Sequence, residues 1–319
     1  MEKQVLAGPA IASARAAGPM HATSSLTGSA AALVTVVIWS GWIIATRFAG
    51  ETSTGPVAIG LLRYGPPAIL LAPVWCRCGL LPRRCPWWII LLMVSGSGAP
   101  FLLLAAAAMR VAPAAQVGVL LPGTMPLWAA LIGSLLGVSQ FSRGQRFGYL
   151  LIALGIVLML VVTATTPSSG TLQVTRHPIW WGQVLLLLAA ASWAVYSHAF
   201  KRSGLTPLQG AAVVAAWSFL IHLLLAACFG AGLENVSVHQ LFLQLGVQGI
   251  LSGLLAIFSY GFAIATLGAA RASTFSALAP VLATIGGAVL LGEHPPASDL
   301  ISIALVTIGV ALASRIRRR

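Results

Sequence analysis

Trp39-Ser40-Gly41-Trp42-Ile43-Ile44-Ala45-Thr46-Arg47-Phe48-Ala49-Gly50 and Trp193-Ala194-Val195-Tyr196-Ser197-His198-Ala199-Phe200-Lys201-Arg202-Ser203-Gly204 are the two stretches on which the fold turns. At an offset of 154 (193 less 39), tryptophan falls on tryptophan, Arg47 on Lys201 and Gly50 on Gly204, with Trp42 and Tyr196 three places after each tryptophan. The same gapless register sets Pro126 on Pro280, Gly133 on Gly287 and Gly155 on Gly309. Apolar coincidences are common in a chain that is 58% hydrophobic; Trp, Pro and a basic residue at one offset are not. The chain is therefore read as two copies of one unit.

Only 7% of the 319 residues are charged, and mean hydropathy is +0.95. A soluble domain carries about 25% charged residues. Five acids (Glu2, Glu51, Glu234, Glu293 and Asp299) cannot cover a water-soluble fold of this size, which excludes a soluble enzyme. A spanning helix needs about 20 apolar residues. Ten segments qualify, at approximately 30–49, 56–75, 87–109, 114–137, 146–163, 181–200, 208–230, 240–267, 270–291 and 299–313, the fifth and tenth being short. The fold class expected is an all-α membrane protein, with ten transmembrane helices arranged as two inverted five-helix repeats.

Ten spans put both termini on one side. With that side cytoplasmic, 14 of the 18 basic residues lie inside, including Arg77, Arg143, Lys201 and the tail Arg315–Arg319. Arg47, Arg110 and Arg176 fall outside, and Arg63 lies within the second span. Retention of Lys and Arg on one face accounts for the net charge of +13 without nucleic acid. Cys76, Cys78 and Cys85 share the Arg-bearing loop and Cys228 stands apart; they lack the spacing of a zinc site, and neither metal nor cofactor is expected. Met1–Ala14 has some features of a signal peptide, but cleavage would place the Arg-rich tail outside, so a retained cytoplasmic extension over 1–29 is expected, with Met20 as a candidate start. The units that follow are 30–163, an external linker 164–180, 181–314, and the basic tail 315–319.

An odd number of spans per unit turns the second unit upside down. Arg47 ends the first span outside, while Lys201 ends the sixth inside. Inverted repeats are the common architecture of secondary transporters, with the substrate near the midplane where the halves meet. The chain also resembles the EamA-type members of the drug/metabolite transporter superfamily over residues 30–314. That resemblance rests on Trp39-Ser40-Gly41 with Arg47, Pro56, Arg63-Tyr64, Pro280 with Leu290-Leu291-Gly292-Glu293, and Gly309. Val138-Ser139 stands where the first repeat would carry its own Gly-Glu pair, so any family role for that carboxylate is lost there. The resemblance implies a ten-helix carrier of small metabolites, often amino acids or related compounds, often exported.

Arg63 is a fixed charge inside a span, a functional-site hypothesis by default. Its planar fork suits a substrate carboxylate; snorkelling to the interface is the alternative, and the basic residue in the family pattern favours a scaffold role. Trp39 with Trp42, and Trp193 with Tyr196, place aromatic pairs on one helix face each, either lining a pathway or packing helices together. Gln116 and Thr124, and Tyr260 with Ser252 and Ser259, add polar groups that serve a ligand or a neighbouring helix. No acid is expected deep in a span, so a titrating group there would be His198 or His222, each equally readable as a satisfied histidine. The substrate-contact set is thus Trp39, Trp42, Arg63, Gln116, Trp193, Tyr196 and Tyr260, with no catalytic residues.

There is no phosphate loop, no His-Glu-x-x-His and no paired membrane acids. The expected function is a secondary transporter of the inner membrane, exporting a small organic metabolite by alternating access. A non-transporting membrane protein, such as a lipid-handling enzyme or a sensor subunit, is the rival.

Overall fold

Backbone polar groups in a bilayer must be satisfied within the chain, which leaves helices as the natural solution for long apolar segments. The computed structural model describes residues 20–51, 54–83, 85–137, 141–165, 178–234, 236–267 and 269–314, and every regular element among them is helical. In order these are α1 (Met20–Glu51), α2 (Pro56–Leu70), α3 (Ala72–Cys78), α4 (Trp87–Ser97), α5 (Ala99–Met109), α6 (Ala114–Leu120), α7 (Met125–Leu135), α8 (Arg143–Thr165), α9 (Ile179–Ser203), α10 (Pro207–Phe229) and α11 (Val238–Gln244). A π-helical segment, Leu245–Leu255, leads into α12 (Ala256–Leu267), α13 (Ala269–Thr274), a 3₁₀ turn (Phe275–Leu278), α14 (Ala279–Leu291) and α15 (Ala297–Ala313).

Ten spans were expected from the apolar segments, and the structure bears out an all-helical chain with fewer long spans than that. Among the described residues, eight helices are long and apolar enough to cross a membrane. The second expected segment is two helices, α2 and α3, bent by 71° at Leu71, and the tenth, α15, has 17 residues. The fifth is longer than expected, filling 143–165. At the N-terminus α1 starts at Met20, inside the stretch expected to be an extension. Residues 1–19, most of the linker 164–180, Val138-Ser139 and the tail 315–319 lie outside the described residues.

Proline explains most of the breaks. Pro100 and Pro122 lack the N–H that a continuous helix requires, and α4/α5 and α6/α7 part next to them. At the first of these breaks Ser218 of α10 accepts a hydrogen bond from Ala99 N at 3.1 Å, supplying the partner that the helix lacks. Pro66 and Pro67 likewise free the carbonyls of Leu62 and Arg63. The π segment approaches both: a Cβ on Gly249 would lie 2.6 Å from Leu62 O, and one on Gly253 would lie 3.0 Å from Arg63 O, a proximity that only glycine allows.

Helix α8 shows how a largely apolar helix divides its surface. Phe147, Leu150, Leu154, Val157 and Val161 are exposed at three- and four-residue spacing, a lipid-facing stripe. Gly148, Ile152, Gly155 and Met159 are buried on the other side against α15, where Gly309 completes the crossing. The matched pair Gly155/Gly309 thus occupies one interface.

The 154-residue register pairs α1 with α9, α2 with α10, α4/α5 with the π segment and α12, α6 with α13, α7 with α14, and α8 with α15. Packing respects that exchange. Helix α1 lies on α12 as α9 lies on α4 and α5; α1 lies on α14 as α9 lies on α7; and α2–α10 and α8–α15 each pair a helix with its own counterpart. Trp87 and Trp88 start α4 exposed, and Trp180 and Trp181 start α9 exposed. All four cysteines are free; outside the spans, burial pushes the Cys85 thiol up from its ordinary value.

Candidate functional site

Gly60, Arg63, Tyr64 and Pro67 share one face of α2 by their spacing. That face turns inward. Gly60 leaves room for the His222 ring of α10, and Tyr64 stacks on the same ring at 5.6 Å while donating to Ser97 O at 2.9 Å. Arg63 extends over the Trp42 ring of α1, its guanidinium carbon 4.9 Å from the ring centroid, a cation–π contact.

Several polar atoms on α1, α2, α10 and the π segment are buried without a partner: Arg63 Nη1, Trp42 Nε1, His222 Nε2, Gln248 Oε1 and Ser252 Oγ. His222 Nδ1 lies 2.7 Å from Ser218 O, so in the neutral ring Nδ1 carries the proton and Nε2 is an unused acceptor. Gln248 donates to Thr46 Oγ1 at 2.9 Å, one turn along α1 from Trp42, and to Gln244 Oε1 at 3.1 Å. Gln244 in turn donates to Ala45 O at 2.8 Å. These amides tie the π segment to α1 and leave one oxygen spare. Buried polar groups are almost always paired, and π segments recur at functional sites, so the cluster is the leading place for a ligand.

An aromatic run leads away from it. Trp42 stacks on Phe101 at 6.3 Å, Phe101 meets Trp193 at a tilt at 5.2 Å, Trp193 meets Tyr196 likewise at 5.4 Å, and Tyr196 stacks on Phe200 at 6.0 Å. Trp39 pairs with Tyr260 at 5.2 Å on the α1–α12 contact, as its repeat mate Trp193 pairs with Phe101 on α9–α5. Of the residues expected from sequence, Trp42, Arg63, Trp193 and Tyr196 are therefore joined through Phe101, and Trp39 and Tyr260 form a separate pair.

Gln116 belongs elsewhere. It accepts from Gln183 at 3.0 Å and donates to Asp299 Oδ2 at 3.5 Å, while Gln183 also donates to Thr163 at 2.9 Å. This network joins α6, α8, α9 and α15 at their ends, and Asp299 within it is only 3% exposed. Nearby elements carry the ion pair. Arg47 is 1% exposed, and its Nε donates to Glu293 Oε1 at 2.7 Å. Its Nη1 donates to Met109 O at 2.9 Å, and Glu293 Oε2 accepts from Ala114 N, at the start of α6, at 2.7 Å. Of the acids expected at outer ends and loops, Asp299 is buried, Glu293 is largely covered, and both are bonded. His198 reaches Ala129 O at 3.0 Å.

Sequence reasoning passed over Phe101, Gln183, Gln244 and Gln248. A single glutamine in an apolar helix signals a bond to a neighbour, and only the neighbour's position shows which of its atoms is left over.

The profile of the EamA-like transporter family matches residues 26–161 and again 180–315. "Uncharacterized inner membrane transporter YedA" of Escherichia coli (strain K12) is 23% identical over 193 residues, covering 60% of this chain and 59% of that one; YedA from two further strains gives the same figures. The matched region is thus somewhat under two thirds of these curated relatives. A crystal structure of a protein 19% identical superposes with a TM-score of 0.58 over 91% of this chain and 95% of that one, a likeness of fold. Matched twice over most of its length, the chain belongs to the EamA-like transporter family.

Proposed function

We propose that the protein is a secondary transporter of the inner membrane that moves a small organic metabolite, an amino acid or related compound, by alternating access, with export as its working direction. The bent α2–α3 pair and the short α15 join the eight longer helices to make ten spans, and both termini are cytoplasmic. The units are 30–163 and 181–314, inverted with respect to each other, with 164–180 outside and 315–319 inside.

The observation that carries this reading is the exchange of helix partners between halves: the contacts of α1 with α12 and α14 return as those of α9 with α4, α5 and α7, and α2 and α8 each pack on their own counterparts. Two interlocked copies of opposite orientation can trade conformations, and the trade moves the opening from one face to the other. Broken helices near the middle of the bundle support the same view. Trp42, Arg63, Trp193 and Tyr196 contact the substrate, Trp39 and Tyr260 flank its path, and Gln116 works by joining helix ends.

The test compares the medium of cells producing the wild type and Arg63→Ala at matched membrane levels. A compound accumulating outside with the wild type alone identifies an exported substrate and places Arg63 on its route. Equal media from wild-type and empty cells, together with no saturable uptake into vesicles, would defeat the carrier reading.

A further inference from the structure

Within the proposed class of amino acids and related compounds, we propose that the Arg63 site takes the relatives that lack the ammonium group: a singly charged organic anion, a carboxylate with a flat apolar body and at least one hydrogen-bond donor, in preference to a zwitterionic amino acid or a cation. The inference rests on the carrier reading only in treating this cluster as the place that is loaded. It starts from charge. Among the described residues Glu293 is engaged by Arg47 and Asp299 meets Gln116, and neither contacts Arg63. Its guanidinium therefore stands over Trp42 with no carboxylate beside it and with Nη1 buried and unpaired.

A buried charge without a counter-ion is unfavourable, and an anion arriving beside it removes that penalty. The two orphan donors, Arg63 Nη1 and Trp42 Nε1, suit carboxylate oxygens. Gln248 Oε1 and His222 Nε2 are acceptors, and Ser252 Oγ serves either way. All three are neutral, so they match an O–H or N–H of the ligand but supply no negative charge for an ammonium. A zwitterion would leave the site with its net positive charge, and a second cation near the guanidinium weakens binding about tenfold or more at the effective dielectric of a protein interior. The rings from Trp42 through Phe101 to Trp193 offer the flat body a stacking surface.

Phenyllactate, phenylalanine and phenethylamine share one body and differ in charge, which makes them the probes. Binding to the purified full-length protein in lipid nanodiscs is measured by calorimetry at neutral pH. Phenyllactate is expected to bind at least about tenfold more tightly than phenylalanine, and phenethylamine not at all. Arg63→Gln is expected to erase that preference and Arg63→Lys to keep it. Phenylalanine binding as tightly as phenyllactate, a preference that survives Arg63→Gln, or no binding of any probe would each overturn the proposal; if Gln at this position prevents folding, the wild-type series decides alone. In proteoliposomes, phenyllactate that binds without crossing would remove the carrier reading and leave the ligand class standing. Equal passage of phenyllactate and phenylalanine would do the reverse.

Discussion

Arg47 and Arg63 both reach into the bundle, and the structure treats them in opposite ways. Arg47 is held by a carboxylate and a backbone carbonyl, and its carboxylate is held in turn by the first N–H of α6. Four separate segments (α1, the end of α5, the start of α6 and the turn after α14) meet at that one charge. Arg63 lies on α2 over an aromatic ring, with a guanidinium nitrogen left over and no acid in contact among the described residues. A charge whose partners are all supplied fastens the fold; one whose partner is missing is waiting for something that the chain does not provide. Burial alone would have ranked them the other way, because Arg47 is the more deeply buried.

The sharpest way to break this comparison is to remove Glu293. Glu293→Ala leaves the Arg47 charge and the Ala114 N–H buried without their partner, and it is expected to cost about 3–5 kcal/mol of stability. Equilibrium unfolding in mild detergent measures it. The double variant Arg47→Met with Glu293→Leu should regain most of the loss, since replacing both members of a buried pair by apolar groups is often close to neutral. A Glu293→Ala variant as stable as the wild type would mean that the pair fastens nothing.

Next in size is Gly287→Ala, which attacks the same point from the neighbouring helix. The added Cβ would lie 2.8 Å from Glu293 Oε2 and 2.8 Å from Ala114 Cβ. The carboxylate cannot yield without abandoning Arg47, so a loss of about 1–3 kcal/mol is expected, typical of overpacking. Gly144→Ala is the control, because nothing lies near its added methyl.

Smaller again is Arg63→Met. Removing an unpaired charge while keeping the stem over Trp42 should change stability by no more than about 1 kcal/mol, in either direction, while abolishing anion binding. A loss as large as that for Glu293→Ala would make Arg63 a structural residue and erase the distinction.

What the sequence disclosed of this contrast is uneven, for physical reasons. Arg63 and Trp42 were legible because a charge inside an apolar segment is costly enough to be noticed, and because Trp42 repeats as Tyr196. Gly155 and Gly309 were legible as a match, and the α8–α15 crossing supplies the reason: each repeat needs a residue without a side chain at the same contact. The Arg47–Glu293 pair was not, since its members stand 246 positions apart in different repeats and Lys201, the repeat mate of Arg47, offers no parallel acid. Nor were the breaks at Leu71 and Gly98, although prolines stood beside them. A proline in a membrane segment either kinks or is tolerated according to which neighbour satisfies the freed carbonyls, and that neighbour is distant in sequence. The π segment has the same origin, because a 3.6-residue pattern carries no mark of where the helix widens.

Asp299 lies between the two arginines in character, and it sets the finest test. It is an acid almost wholly buried, but its side-chain partner is the amide of Gln116 at 3.5 Å, with no cation in contact among the described residues. Were the Gln116–Gln183–Thr163 chain built around a negative charge, Asp299→Asn would loosen it and the ends of α6, α8, α9 and α15 would come apart. An asparagine oxygen accepts the same hydrogen bond in nearly the same volume, however, and the bond is at the long limit of its kind. Asp299→Asn is therefore expected to shift stability by less than about 1 kcal/mol, far below Glu293→Ala in the same unfolding assay. The two acids then differ as the two arginines do: Glu293 acts through its charge, Asp299 through its shape and its oxygen. A loss for Asp299→Asn equal to that for Glu293→Ala would show that charge matters at both points, and that a cation reaches Asp299 in the working protein.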